Sequence, residues 1–146
     1  GLNKDYKFKT FSADFRKYYT FFNKLIWNVN LHGEFSDGKV PFRMLPELGG
    51  ARFLRGYYRG RFRDNNLIVF QQELRTSIYK RFGLAVFGGV GEVAHTVKGL
   101  TRQNLHYNYG LGLRFKINKK ENTNLRIDYG LTKDSKGLYV VFAEAF

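Results

Sequence analysis

Long stretches in which apolar and polar residues alternate are the feature that most restricts how this chain can fold. From Leu105 to Asn118 the alternation is unbroken. The apolar or aromatic positions of this stretch are Leu105, Tyr107, Tyr109, Leu111, Leu113, Phe115 and Ile117. Because successive side chains of a β-strand point to opposite faces, a period of two residues predicts strands. The sequence therefore predicts an all-β protein.

The same period recurs along the sequence and predicts seven antiparallel strands. They lie near residues 6–19, 24–36, 67–79, 82–94, 105–118, 122–132 and 137–146. Short and long connections alternate between them, and the longest runs from Asp37 to Asn66. No linker or low-complexity tract divides the sequence. We therefore expect one domain over residues 1–146, with one long connection at 37–66.

The length of the strands and the chemistry of their polar faces favour an antiparallel transmembrane β-barrel. Strands of soluble sandwiches run for about 5–6 residues, whereas strands that cross a membrane need about 9–11. The polar faces are rich in Asn, Gln, Gly, Arg and Asp, which suits a crowded, hydrated lumen. A soluble barrel with an apolar interior would have the same period, so periodicity alone does not choose. Outer-membrane barrels have short periplasmic turns, and this rule makes the C-terminus periplasmic.

Most catalytic and cofactor chemistry lacks the residues that it would need. The sequence contains no cysteine, which excludes disulfides, thiolate zinc sites and cysteine nucleophiles. The histidines His32, His95 and His106 fall on separate elements, and His32 with Glu34 makes only a weak metal-like pair. No Walker loop and no Gly-x-Ser-x-Gly motif occurs. We expect a protein that is not an enzyme, with no catalytic or metal-binding residues and no cofactor.

The charge balance raises nucleic-acid binding as an alternative function. Lys and Arg number 25 against 12 Asp and Glu, and aromatic residues make up 18% of the chain. A basic surface with interleaved aromatic rings is typical of nucleic-acid-binding proteins. Here, however, the aromatic residues share a strand face with aliphatic ones, while the basic residues occupy the other face and the connections. A soluble nucleic-acid-binding β protein is therefore the less favoured interpretation, and the positive charge fits contacts to glycolipid and headgroup phosphates better.

A series of glycine-rich and aromatic motifs carries a family resemblance. The first, in the long connection, is Leu48-Gly49-Gly50-Ala51-Arg52-Phe53-Leu54-Arg55-Gly56-Tyr57. Later motifs are Gln72-Glu73-Leu74-Arg75, Ala85-Val86-Phe87-Gly88-Gly89-Val90-Gly91-Glu92-Val93, Tyr109-Gly110-Leu111-Gly112-Leu113-Arg114-Phe115 and Leu125-Arg126-Ile127-Asp128-Tyr129-Gly130. In order and spacing they resemble the C-terminal half of the 16-stranded barrel of the BamA/TamA superfamily, also called the bacterial surface antigen family. The resemblance covers essentially the whole chain.

The resemblance implies a location, a function and partners. It implies a protein of the Gram-negative bacterial outer membrane that catalyses insertion of β-barrel proteins without covalent chemistry. Its partners would be outer-membrane lipid and glycolipid, nascent outer-membrane proteins and accessory lipoproteins, with no nucleic acid. The alternative within the same fold is a protein secretion or translocation barrel, including that of a patatin-like autotransporter.

The resemblance also assigns roles to residues of the long connection. This segment would be the family's sixth extracellular loop, which folds into the barrel lumen and places Arg55, beside Gly56 and Tyr57, against the inner wall. Glu73 lies on the polar face of the next strand and is the best candidate partner for Arg55. Family members tend to carry an Asp on the following strand, where this chain has Gly89. Asp128 is a candidate substitute, and an ion network between Arg126 and Asp128 is the alternative role for it.

The last strand resembles the assembly signal of Gram-negative outer-membrane proteins, which ends in an aromatic residue and has alternate hydrophobic residues before it. Leu138, Val140, Phe142 and Phe146 share one face and form this predicted signal. Assembly machinery reads such a strand by β-augmentation. Glu144 interrupts the face where the general pattern prefers an apolar residue.

Seven strands are too few for the barrel that the resemblance implies. Single-chain bacterial barrels have an even number of strands, at least eight. The family's N-terminal POTRA modules are also absent from this sequence. We therefore expect either a fragment or one chain of a split barrel, which would be completed by the missing N-terminal strands.

Overall fold

The structure is a computed structural model that describes residues 6–118, 120 and 123–144, and it is all-β. The long strands are β1 (Phe8–Phe21), β2 (Leu25–Gly38), β5 (Asn66–Tyr79), β6 (Phe82–Ala94), β7 (His106–Asn118), β8 (Thr123–Thr132) and β9 (Lys136–Glu144). Two short strands, β3 (Glu47–Leu48) and β4 (Phe62–Arg63), and two 3₁₀ turns, Phe42–Met44 and Val97–Gly99, lie in the long connections. No helix within these described ranges is long and apolar enough to cross a membrane.

The seven long strands form one antiparallel sheet in the order β1-β2-β5-β6-β7-β8-β9. This confirms the predicted all-β class and the seven antiparallel strands. In the part of the chain that the structure describes, the sheet is open, with β1 and β9 at its two edges. The first strand ends two residues later than predicted. The turn after it falls at residues 22–24, where Phe22 and Asn23 have positive φ angles of 51° and 56°.

One face of the sheet is apolar and exposed. Leu111 and Tyr109 in β7 have 63% and 58% of their surface exposed. The strand register lines up a row of exposed side chains across all seven strands: Tyr19, Trp27, Leu74, Val86, Leu111, Tyr129 and Leu138. Isolated exposed apolar side chains are ordinary on soluble proteins, but a continuous band across a whole sheet is not.

The opposite face is largely polar, and over β2 and β5–β8 most of its side chains are buried or half-buried, whereas β1 is exposed along almost its whole length. In β7, Asn108 and Arg114 are only 5% and 6% exposed, although their apolar neighbours in sequence are open. Over these strands many apolar side chains are exposed while polar side chains and glycines are buried, which is the reverse of the usual distribution in a soluble sandwich. The cover over this face is the connection between β2 and β5.

This connection packs against one end of the polar face and forms the main apolar core of the described residues. Leu48, Phe53, Leu54 and Tyr57 from the connection pack on Leu67 and Val69 of β5. The connection itself is pinned by pairing of Glu47 with Arg63 and of Leu48 with Phe62. Residues 37–66 show no strand pattern in the sequence because a strand of two residues is too short to show a period of two.

Candidate functional site

The candidate site is the contact between Arg55 in the long connection and the polar face. The Arg55 Nη1 donates a hydrogen bond of 2.7 Å to Asp128 Oδ2 in β8, and its Nη2 donates one of 2.8 Å to Glu73 Oε2 in β5. The centre of its guanidinium lies 3.6 Å from the centroid of the Phe87 ring in β6. One buried arginine thus contacts side chains from three different strands.

Arg114 of β7 closes the contact into a ring of alternating charge. Its Nη2 donates to Glu73 Oε1 at 3.0 Å, and its Nη1 donates to Asp128 Oδ1. Each carboxylate therefore accepts from Arg55 with one oxygen and from Arg114 with the other. All four side chains are at most 8% exposed. Charge-assisted bonds of this kind have strict geometric requirements, so the ring specifies where the connection lies.

Two further arginines, Arg126 of β8 and Arg75 of β5, contact the same two carboxylates. Arg126 Nη2 donates to Asp128 Oδ2 at 3.0 Å, and Arg75 Nε lies 3.4 Å from Glu73 Oε1. Four guanidinium groups thus surround two carboxylates. Buried ionised groups are costly unless they are paired, and here both carboxylates are paired several times. The polar face keeps an excess of positive charge around the ring.

Side chains of the sheet also hold the backbone of the connection around Arg55. Gln71 accepts from the Leu54 amide at 3.1 Å, and Asn108 donates to the Arg55 carbonyl at 2.7 Å. Tyr139 Oη accepts from the Gly56 amide at 2.9 Å and donates to the Tyr57 carbonyl at 3.0 Å. A buried segment without strand neighbours needs such partners for its backbone groups.

Gly56 and Gly130 let the connection lie directly on the backbone of β8. Gly56 has a φ of +120°, a conformation that side-chain-bearing residues rarely adopt. A methyl group added at Gly130 would overlap the Arg55 carbonyl and would lie 2.7 Å from the Gly56 nitrogen. Backbone therefore packs on backbone at this point, with no room for a side chain.

Gly130→Ala is expected to displace the connection and to lower the free energy of unfolding by about 1–3 kcal/mol, as overpacking typically does. The atoms that it would meet belong to the backbone of Arg55 and Gly56, which cannot rotate away as a side chain could. Denaturant unfolding and limited proteolysis of residues 39–65 are the measurements. Gly88→Ala is the matched control, because a methyl group there meets only the Asn108 carbonyl, at 3.4 Å. Equal effects of the two substitutions would contradict the close packing.

A second, exposed ion pair fastens the connection to the turn between β8 and β9. Arg61 donates to both carboxylate oxygens of Asp134, at 3.0 and 2.6 Å. This hydrogen bonding holds the pKa of Asp134 below its ordinary value and the pKa of Arg61 above its own. The pair is open to solvent, so it contributes little to the free energy of folding, and its main effect is to fix the position of the connection.

In the structure His32 and Glu34, the weak metal-like pair, lie beside a third titratable side chain, that of Asp14. His32 Nδ1 lies 2.9 Å from Asp14 Oδ2, and its Nε2 lies 2.9 Å from Glu34 Oε1. Its ring stacks on Phe53 of the connection at 4.7 Å between centroids. Among the residues that the structure describes, no group of three His, Asp or Glu side chains is arranged to hold a metal ion.

Three residues of the predicted C-terminal assembly signal, Leu138, Val140 and Phe142, lie apart from this site. Leu138, Val140 and Phe142 are on β9 with 59–71% of their surface exposed, and they extend the apolar face. Phe146 lies outside the described residues. These side chains are on the opposite face of the sheet from Arg55, so the two groups of predicted residues do not meet.

Arg114 is the main site residue that the sequence did not single out. Its position on the polar face of β7 was readable from the alternation, but the alternation does not show that its carboxylate partners are Glu73 in β5 and Asp128 in β8, 41 and 14 positions away. The space beside Gly89 is filled by Leu54 of the connection, which lies 2.9 Å from where a methyl group on Gly89 would stand. The second carboxylate at Arg55 is Asp128, which also pairs with Arg126, so the two roles considered for it coexist.

No protein-family model matches this chain, and no curated protein matches it.

Proposed function

We propose that this chain is the C-terminal part of a 16-stranded outer-membrane β-barrel of BamA/TamA type, and that the complete protein assists insertion of β-barrel proteins into the bacterial outer membrane. The apolar face would contact lipid and glycolipid, and the C-terminus would be periplasmic. The missing strands and POTRA modules would complete the barrel, and nascent outer-membrane proteins would be its clients.

The observation that carries this proposal is the inverted distribution of side chains on the sheet. Aromatic and aliphatic residues such as Tyr109 and Leu111 are open to the surroundings, while Asn108 and Arg114 on the other face are buried. In water, such a band would favour aggregation. In a bilayer, it is the outward band of a barrel, and the polar face lines the interior. On the exposed face of the sheet the aromatic side chains lie among aliphatic ones, such as Tyr109 near Leu111, which also argues against a nucleic-acid surface.

The docked connection supports the link to the BamA/TamA type within the wider class of barrels. The sequence Arg55-Gly56-Tyr57 resembles the motif of the family's sixth extracellular loop, for which a position inside the lumen is expected. Here Arg55 lies on the polar face with Glu73 and Asp128. A loop fixed in this position would stiffen the sheet and leave movement to a seam at its edge.

The edges of the sheet suggest how such a barrel would act. β1 and β9 each have one side without a strand neighbour in the described part of the chain. Unpaired strand edges are templates for further strands. In the proposed protein, β1 would pair with the missing half, and β9 would lie at a seam that opens to offer an edge to a client strand.

An insertion assay with the complete protein tests the proposal. The protein that carries this chain would be reconstituted into liposomes and given an unfolded eight-stranded outer-membrane protein. We expect the client to fold faster than with empty liposomes, as measured by heat-modifiable migration on gels. Liposomes with a porin of similar size control for defects in the bilayer that any barrel introduces.

The outcome also separates the two barrel functions. If client folding is no faster than with the porin and a passenger protein crosses into the vesicle lumen instead, the protein is a secretion barrel. If the protein stays in solution without detergent or lipid, the barrel proposal itself is wrong.

A further inference from the structure

A basic recess lies at the end of the sheet where the short turns are, and the basic strand residues that line it, Arg75, Arg114 and Lys116, are on the polar face. Its volume is about 210 Å³. Six basic residues line it: Lys24, Arg75, Lys80, Arg81, Arg114 and Lys116. No acidic residue is among the described residues that line it. The recess is separate from the contact of Arg55, which the connection covers from the opposite end.

Arg114 connects this recess to the ion ring, and one of its buried donors, Nε, is not used by the ring. Its Nη1 and Nη2 donate to Asp128 and Glu73. Its Nε is buried and has no acceptor among the described residues, and the side chain as a whole is only 7% exposed. A buried guanidinium N–H without an acceptor is unfavourable, so an anionic oxygen in the recess would be stabilised there.

The spread of the basic residues indicates the size of the anion. Lys24 is in the turn between β1 and β2, and Lys116 is near the end of β7, three strand spacings from β2 in the sheet. At about 4.8 Å per spacing this is a distance of about 14 Å. A single phosphate cannot contact both ends, whereas an extended peptide of about four to five residues spans the distance.

The face on which the recess opens distinguishes an acidic peptide from a lipid headgroup. Arg75, Arg114 and Lys116 belong to the polar face, on the opposite side of the sheet from Leu111 and Leu113. A phospholipid whose chains lie against the apolar face would have its phosphate on the opposite side of the sheet from Arg75, Arg114 and Lys116. A polypeptide that approaches the short-turn end has direct access.

We propose that this recess binds an extended acidic segment of a polypeptide, with one carboxylate at Arg114 and others at Lys80, Arg81 and Lys116. The segment belongs to a client or partner protein. The inference rests on the membrane orientation proposed above and on the charges of the recess, but not on the insertion function, so it can hold or fail independently of that function.

Binding of a defined peptide tests this inference. The protein in nanodiscs of zwitterionic phosphatidylcholine would be titrated with a fluorescein-labelled peptide of alternating Glu and Gly, with fluorescence anisotropy as the readout. We expect saturable binding that weakens as salt rises, because exposed charges are screened. The combined variant Lys80→Gln, Arg81→Gln and Lys116→Gln should bind about tenfold more weakly, at roughly two- to threefold for each lost charge. These three side chains are exposed and outside the ion ring, so the fold should persist.

Three comparisons decide the result. A peptide with Gln in place of Glu should not bind. The variant Lys39→Gln, Arg43→Gln and Lys98→Gln removes the same charge at the opposite end of the sheet and should bind the acidic peptide normally. The inference is overturned if this control loses as much affinity as the first variant, if the Gln peptide binds equally well, or if pyrophosphate or phosphatidylglycerol vesicles bind the recess and the acidic peptide does not.

Discussion

Arg55→Ala should lower the free energy of unfolding by about 3–5 kcal/mol, the range for removing one member of a buried ion pair. Arg55 is 7% exposed and donates to Glu73 and Asp128 at once. Both carboxylates would keep Arg114, so we expect the lower half of that range. The connection over residues 39–65 should also become sensitive to protease. Arg55→Lys should restore little, because an ammonium group cannot present the planar fork that joins two carboxylates.

A double-mutant cycle measures how Arg55 divides its interaction between the two carboxylates. The two contacts have nearly equal lengths, so Glu73→Gln and Asp128→Asn should each couple to Arg55→Ala by about 0.5–3 kcal/mol. Arg59→Ala is the control, since Arg59 is in the same connection and pairs with Glu47 while its side chain is 84% exposed. We expect no measurable loss from it. Additive effects of the three buried substitutions would show that the ring does not hold the connection.

Leu111→Arg should have the second largest effect, a loss of about 2–4 kcal/mol in the bilayer-reconstituted protein. This is the cost of a cationic side chain at the lipid-facing midplane of a barrel. Leu111 is in the middle of β7, within the apolar row that crosses the sheet, and is 63% exposed. On an aqueous surface the same substitution would change stability by no more than about 0.5 kcal/mol. The size of the effect therefore distinguishes lipid from water at this face.

Tyr58→Arg is the matched control for that measurement. Tyr58 is also large and exposed, at 68%, but it belongs to the connection and not to the sheet. We expect its replacement to be nearly neutral. If Leu111→Arg is equally neutral, the apolar face is in water and the membrane proposal is wrong.

The alternation of residues was enough to predict the strands and the two sides of each strand. It identified seven strands and placed residues such as Leu111 and Arg114 on opposite faces, as the structure has them. This works because the direction of successive side chains is a local property of extended backbone. The boundaries were less accurate where turn conformation sets them, as at Phe22 and Asn23 after β1. Whether the apolar face meets lipid or water is not local, and the alternation is the same for both.

The candidate site depended on tertiary structure to a much larger degree. The sequence motif drew attention to Arg55, and the polar period drew attention to Glu73 and Asp128 as possible partners. Only the register of β5, β7 and β8 and the path of the connection bring these groups together with Arg114, because the ring joins residues up to 73 positions apart. The tight backbone contact of Gly56 with Gly130 is likewise decided in three dimensions. Local patterns determine which way a side chain points, but the packing of the whole chain determines what it meets.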